Sequence, residues 1–256
     1  MKLNTFSFMA VLCCSFAFSQ NADSVSVTKL RPDIPNIIKT NVTAFAFRNL
    51  NLSYERVISK TTSLAATVSV IPSGKVPYVK LFLQGDDIGD VEGMVMNYNS
   101  ITLEPRFYLG KGGYGQGFYL APYYRYSHAE FSDYRYEFET IEQGVTEKHY
   151  VQLEGNVNGN SIGVMIGKQW FLGQEQNWVL DFNILGGHYG ISKGELIASS
   201  STRLTPERQR ELQEELDNLD VPLVKIEATA TETGATAKVS GPWAGLRFGL
   251  ALGYRF

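Results

Sequence analysis

The sequence predicts an all-β chain, an eight-stranded antiparallel up-and-down transmembrane β-barrel with one short helix in its last extracellular loop. Three observations predict it. In the final stretch, 241–256, Leu246, Phe248, Leu250, Leu252, Tyr254 and Phe256 alternate with Gly245, Arg247, Gly249, Ala251, Gly253 and Arg255. That period of two makes one face continuously apolar and the other small or cationic. The same phase recurs in segments of about 9–11 residues, the length a tilted strand needs to cross a bilayer. The chain also opens on a secretory signal yet holds no apolar run of about 18 residues, so no spanning helix is available.

Residues 1–20 read as the signal peptide. Lys2 supplies the positive end, and the apolar core from Phe6 to Phe18 is too short to span. Ala17 and Ser19 place cleavage after Ser19 or Gln20. Cys13 and Cys14 sit inside the apolar core, where Leu12 before them and Ser-Phe-Ala-Phe behind them do not suit a lipidation site. Both cysteines leave with the signal, so the mature chain is expected to hold neither a disulfide nor a thiol. Loss of Lys2 leaves 22 basic against 26 acidic side chains. No basic patch stands out, which speaks against nucleic acid as a partner. Residues 21–36, with Pro32 and Pro35, are expected to form a periplasmic N-terminal lead, and 37–256 the barrel.

The first strand is expected at 37–47, with an uncertain phase, because Phe45 and Phe47 share a side with Lys39 and Asn41. The second, 49–58, sets Leu50, Leu52 and Tyr54 against Asn51, Ser53 and Glu55. The third, 62–71, sets Leu64, Ala66, Val68 and Val70 against Ser63, Thr67 and Ser69. The fourth, 100–109, carries Ile101, Leu103, Pro105 and Phe107 opposite Thr102, Glu104, Arg106 and Tyr108. The fifth, 117–126, carries Phe118, Leu120, Pro122, Tyr124 and Tyr126 opposite Tyr119, Tyr123 and Arg125. Pro105 and Pro122 each remove a ladder donor, which argues against interior strands, but the alternation runs through both. The sixth and seventh are expected at 160–171 and 178–189, and 241–256 is the eighth.

The connections at 59–61, 110–116 and 172–177 are short, while those at 72–99, 127–159 and 190–240 are long and polar. Short periplasmic turns and long extracellular loops alternate in this way in outer-membrane barrels. The Arg48-Asn49 hairpin is the exception in length. Trp170, Trp178, Phe107, Phe118, Tyr254 and Phe256 would then form the inner aromatic girdle, and Tyr124, Tyr126 and Trp243 the outer one. A soluble β-sandwich is the competing source of such aromatics. The signal, the terminal Phe and the loop asymmetry weigh against it.

Within the last loop, Thr205 is a good N-cap and Pro206 suits the first helical position. Leu212, Leu216 and Leu219 make a narrow apolar stripe on an otherwise acidic helix that Pro222 ends. A helix lying on the barrel lip is the simpler reading; the sharper one is an extracellular partner bound at 203–221.

Chemistry is sparse. Gly110-Lys-Gly-Gly-Tyr-Gly115 matches a phosphate-loop spacing, but a strand follows it and not a helix, so no helix N-terminus can hold a phosphate. Ser127 and His128 with Glu130 invite a Ser-His-acid reading, with His188 and Ser192 on the next hairpin. Neighbours on a strand point to opposite faces, so that pair cannot bond. Neither catalysis nor a cofactor motif is legible, and a metal site at His128, His149 and His188 has weak support. Glu55, Glu104, Arg106, Arg125, Asp181 and Arg247 all fall on lumen faces, where opposed charges would pair as a structural plug.

Several segments carry a resemblance. They are Ile38-Lys-Thr-Asn41, Asn51-Leu-Ser-Tyr-Glu55-Arg56, Glu104-Pro-Arg-Phe-Tyr108, Gly117-Phe-Tyr-Leu-Ala-Pro-Tyr123, Glu215-Leu-Asp-Asn-Leu-Asp-Val-Pro222, Gly241-Pro-Trp-Ala-Gly-Leu-Arg247 and Gly253-Tyr-Arg-Phe256. Together the chain resembles a domain-of-unknown-function family of outer-membrane barrels common in Bacteroidota. The resemblance implies the fold and the membrane, and no functional residue carries over. The expectation is therefore a monomeric, non-enzymatic outer-membrane protein with surface loops in a structural, adhesive or envelope role. Its partners would be outer-membrane lipid and, during biogenesis, the barrel-assembly machinery reading Phe248, Leu250, Leu252, Tyr254 and Phe256. The alternatives are a rim-site lipid-modifying enzyme and a narrow channel or carrier for small amphiphiles.

Overall fold

The computed structural model describes residues 35–75, 94–142, 145–219 and 221–256. The signal expected at 1–20 and the lead expected at 21–36, as far as residue 34, lie outside the described residues. The described chain is all-β apart from one α-helix and one 3-10 turn. Its strands are β1 (Asn36–Asn41), β2 (Leu50–Val57), β3 (Thr62–Lys75), β4 (Val95–Gly113), β5 (Gln116–Glu142), β6 (Val145–Leu172), β7 (Trp178–Ser200), β8 (Lys225–Thr231) and β9 (Gly234–Arg255). The helix α1 (Pro206–Asp217) lies between β7 and β8.

Each strand pairs antiparallel with its neighbours in the order β1-β2-β3-β4-β5-β6-β7-β9, and β9 pairs back to β1. The result is a closed ring. Closure leaves no sheet edge along the joined stretch. The seam joins Ile37↔Arg255 through Asn41↔Ala251. At its foot the two chain segments exchange backbone bonds, Asn36 N–H to the Phe256 carbonyl at 3.1 Å and Phe256 N–H to the Asn36 carbonyl at 2.8 Å.

Five expectations are corrected. The count of eight strands becomes nine among the described residues. Eight close the ring, and β8 is an extra strand that pairs only with β9, from Lys225↔Ser240 to Thr231↔Gly234. The first strand does not reach residue 47. It stops at Asn41, and Thr43–Phe47 forms a 3-10 turn closed by Arg48 in the left-handed region at φ 59°. Phe45 and Phe47 therefore lie outside the alternation and leave the parity of Ile37 and Lys39 clear. The link after it is longer than an Arg48-Asn49 hairpin for the same reason.

The stretches 127–159 and 190–240 are not long loops. β5 and β6 stay paired from Gly117↔Gln169 up to Glu142↔Val145, and β7 stays paired with β9 up to Ser199↔Gly234. Polar composition does not mark where these strands end. Once two strands are in register, continued pairing satisfies their backbone groups at no extra loop-closure cost. The turn placed at 110–116 is also shorter. β4 runs to Gly113 and β5 starts at Gln116, so only Tyr114 and Gly115 turn the chain, both at positive φ, 52° and 90°. Two positive φ values fit the twist of a tight hairpin.

The two prolines stay within strands because their missing donors coincide. The registers Leu103↔Tyr124 and Phe107↔Leu120 put Pro105 opposite Pro122, and the β4–β5 ladder is interrupted there and again at the register shift between Leu109 and Gly113. Their other sides keep pairing, Leu64↔Pro105 and Pro122↔Val164.

Burial is inverted relative to a water-soluble fold. Leu50, Leu52, Ile101, Ile162, Trp178, Leu246 and Phe248 are exposed on the outside, whereas Lys39, Glu55, Glu104, Arg106, Gln169, Asp181 and Arg255 are buried inside. The apolar part of the interior is a small group of Tyr108, Tyr119, Ala121, Tyr123 and Met165. Tyr119 lies flat across Gly167 of β6, its register partner. A Cβ at Gly167 would stand 2.3 Å from the Tyr119 ring. Gly167→Ala should therefore cost about 1–3 kcal/mol, as overpacking does. Urea unfolding in detergent, followed by tryptophan fluorescence, would measure it. Gly187→Ala should be near neutral, since the nearest atom to a Cβ there is 3.9 Å away.

Candidate functional site

Strand alternation aims one residue in two at the ring's interior, and all eight ring strands bring polar members into one bonded cluster. Lys39 of β1 is the centre. Its ammonium has three donors and donates to Glu55 Oε2, to Gln169 Oε1 at 2.7 Å and to Asp181 Oδ2 at 2.7 Å. Arg106 of β4 reaches the same carboxylates. It donates to Glu104 Oε1 at 2.7 Å, Asp181 Oδ2 at 2.7 Å and Glu55 Oε2 at 3.2 Å.

The remaining acceptors are filled by hydroxyls. Tyr108 donates to Glu55 Oε1 at 2.6 Å, Ser63 donates to the same oxygen, and Tyr119 donates to Asp181 Oδ1 at 2.8 Å. Gln169 donates its amide to the Gly115 carbonyl at 2.6 Å and to the Tyr108 hydroxyl at 3.2 Å. Arg247 adds a bond to Glu104 Oε2 at 3.1 Å and lies over the Tyr123 ring at 4.4 Å. The bonded cluster is thus neutral, with Lys39, Arg106 and Arg247 against Glu55, Glu104 and Asp181. Buried charge is tolerated when paired and hydrogen-bonded in this way.

Of the six lumen charges named from sequence, the structure joins Glu55, Glu104, Arg106, Asp181 and Arg247. Arg125 stands apart, donating from Nε to the Thr102 hydroxyl at 3.0 Å. Lys39, Gln169, Tyr108, Tyr119 and Ser63 were missed. Lys39 was hidden by the unclear phase of the first strand. For the other four, lumen parity was readable but the shared level was not.

Above the cluster a cavity of about 470 Å³ opens. Lys39, Arg106, Arg125, Arg247 and Asp181 line its lower part, and Thr43, Ala44, Phe47, Leu246 and Phe248 its upper wall. The outward members of the C-terminal strand, Phe248, Leu252, Tyr254 and Phe256, are exposed on the ring's outer face, and Leu250 is half-buried.

The candidate catalytic side chains do not converge. Ser127 is buried inward and bonds the Tyr98 hydroxyl at 2.9 Å, while His128 faces outward to Asn158 Oδ1 at 2.8 Å and Glu130 Oε1 at 3.1 Å. Those two acceptors raise the His128 pKa, Asn158 more than Glu130. His188 meets the Tyr123 hydroxyl at 3.2 Å, and Ser192 donates to the Gly241 carbonyl. The side chain of His149 lies outside the described residues, and among those described no group of His, Cys, Asp and Glu forms a metal site.

No family model, curated protein or solved structure matches this chain.

Removing one member of the cluster strands its partners in the interior. Lys39→Met leaves Glu55 and Asp181 sharing Arg106 alone, and Arg106→Ala removes the only bridge to Glu104 from that level. Each should destabilise by about 3–5 kcal/mol, the cost of breaking a buried pair. Arg208→Ala, on the exposed face of α1, should change stability little. Urea midpoints of the three variants in detergent would check the order.

Proposed function

We propose that this chain is a monomeric β-barrel of the cell outer membrane, exported through a cleaved signal peptide, that serves a structural, adhesive or envelope role. The inversion of burial carries the reading. A belt of exposed Leu, Ile, Val and aromatic side chains around a polar interior is unfavourable in water and favourable in lipid. From Trp178 to Tyr189 the chain makes eleven steps. At about 3.3 Å each and a tilt of about 40°, they cover roughly 28 Å, close to the apolar thickness of such barrels.

Aromatic and basic groups at the turn end agree. Trp178 packs edge-on against Tyr254 at 5.7 Å, and Lys168 lies over Phe118 and Trp170, its stem on the apolar face. The paired extensions of β5, β6, β7 and β9, with β8 and α1, would stand outside the membrane as a surface tower. α1 covers the free edge of β8: Gln213 donates to the Ala228 carbonyl at 3.2 Å and accepts from Ala230 N–H at 2.8 Å. That protects the edge from pairing with another chain. The acidic outer face, Glu207, Glu211, Glu214 and Glu215, is what remains for an extracellular partner. The neutral, fully bonded cluster would close the lumen, which favours this role over a through-channel. Membership of the barrel family that the sequence motifs resemble is part of the same proposal.

Trypsin added to intact cells should cut at Arg203, Arg208 or Arg210 and spare Lys111, with fragments mapped by mass spectrometry. The reverse pattern would invert the topology and end this reading. Deleting Phe256 removes the terminal aromatic of the assembly signal and the backbone pair with Asn36. The deletion should lower the folded outer-membrane fraction and weaken the heat-dependent gel shift of an intact barrel.

A further inference from the structure

The ring has a gap in its wall. On its β1 side, β9 is paired up to Ala251, and Val42 N–H adds one last bond to the Leu250 carbonyl at 2.9 Å. Its next β-pairing on that side is with β8 at Ser240. Between those points, 241–249 has no strand partner on that edge among the described residues, and the 3-10 turn Thr43–Phe47 stands beside it. The gap follows from the brevity of β1, six residues against 22 in β9. Unpaired backbone at membrane depth is stable only where it lines protein or a hydrated cavity.

The cavity supplies that lining. It is bounded at its base by Lys39, Arg106, Arg125 and Arg247 with the Asp181 carboxylate among them and, at the gap, by Phe47, Leu246 and Phe248, which are 45%, 74% and 68% exposed on the outside. One space is therefore polar and cationic at its inner end and apolar at its outer end. Charge decides which head it suits. The cluster beneath is neutral, and Arg125 is the cation beyond it, with no carboxylate partner among the described residues and with one bond, to Thr102. Arg247 stands over the same space and donates to Glu104 Oε2. The surplus is one positive charge. The volume, about 470 Å³, lies at the small end of the roughly 300–1,000 Å³ usual for small-molecule sites.

We propose that this cavity binds a single-chain anionic amphiphile of the fatty-acid class, its carboxylate on Arg125 and Arg247 and its tail leaving through the gap between the 3-10 turn and β9. The tail's exit into lipid rests on the membrane reading above; the head's site does not. Leu246 and Phe248 are eight to ten residues above the chain end, roughly 20–25 Å along a tilted wall, which sets the gap in the outer half of the apolar belt.

The test uses the whole mature chain, refolded in a neutral detergent and shown intact by its heat-dependent gel shift. Lauric acid is titrated and bound copies are counted by native mass spectrometry, with dodecylamine and inorganic phosphate as parallel probes. Wild type should take one laurate. Arg125→Met, which breaks no ion pair, should weaken it about tenfold, the loss expected for one charge-assisted contact. Ala44→Trp, which fills the exit without touching a cation, should weaken it comparably. Neither parallel probe should displace laurate. Equal laurate affinity in wild type and Arg125→Met would overturn the proposal. So would dodecylamine binding as well as laurate, or phosphate displacing it at similar concentration, since that would show a free oxyanion site without a tail path. Vesicle flotation of the same preparations reads membrane insertion separately. A chain that binds laurate but does not float would remove the membrane reading and keep the head site. One that floats without binding would remove the site alone.

Discussion

Lys39 holds the walls of the ring together. It lies on the shortest ring strand and bonds β2 through Glu55, β6 through Gln169 and β7 through Asp181. β1 pairs with β9 over only five residues, so its backbone contributes little to closure. The ammonium compensates by cross-linking the interior. Its three donors meet three acceptors, and the carboxylates so held are shared with Arg106, which draws in β4. Every buried charge in this cluster depends on the others, because an ion left alone there would bear several kcal/mol of desolvation. The ring is closed by side chains at the level where its ladder is shortest.

The same interior explains the shape of the rest. Charge inside leaves apolar side chains for the outside, and the outer belt follows along every ring strand. Beyond the belt the strands have no reason to stop while both partners remain in register, so β5 and β6 rise well past it. The tower ends where β9 must also serve β8, and there Gln213 of α1 occupies the donor and acceptor that β8 would offer to a stranger. Small residues admit the close contacts. Gly167 leaves room for Tyr119, whose hydroxyl then reaches Asp181. The paired prolines concentrate two lost donors at one point of one seam.

The brevity of β1 has a second effect. A wall whose first strand ends at Asn41 cannot cover the edge of β9 above Leu250, and the 3-10 turn covers it only in part. The cluster fills the lower interior and leaves space above it. Arg125, one register step too high to join the carboxylates, faces that space. The open side follows from one short strand, whereas the closed floor and the cation above it follow from the register of the other strands.

The sequence by itself determined which residues face outward and which inward from the second strand onward, the short turns at one end, and the even return of the chain to that end. These are local matters, set by the period of two and by Gly-rich or polar turn residues. It also placed Glu55, Glu104, Arg106, Asp181 and Arg247 on lumen faces. Tertiary structure decided the rest. Lys39 emerged as the hub only when the 3-10 turn removed Phe45 and Phe47 from the strand. Gln169 and Tyr119 met Asp181 and Tyr108 only through the stagger of neighbouring strands, and the stretches 127–159 and 190–240 became strands only through long-range pairing. The depth at which side chains of different strands meet is fixed by the register of the closed ring. That quantity belongs to all the strands at once and leaves no mark in any one of them.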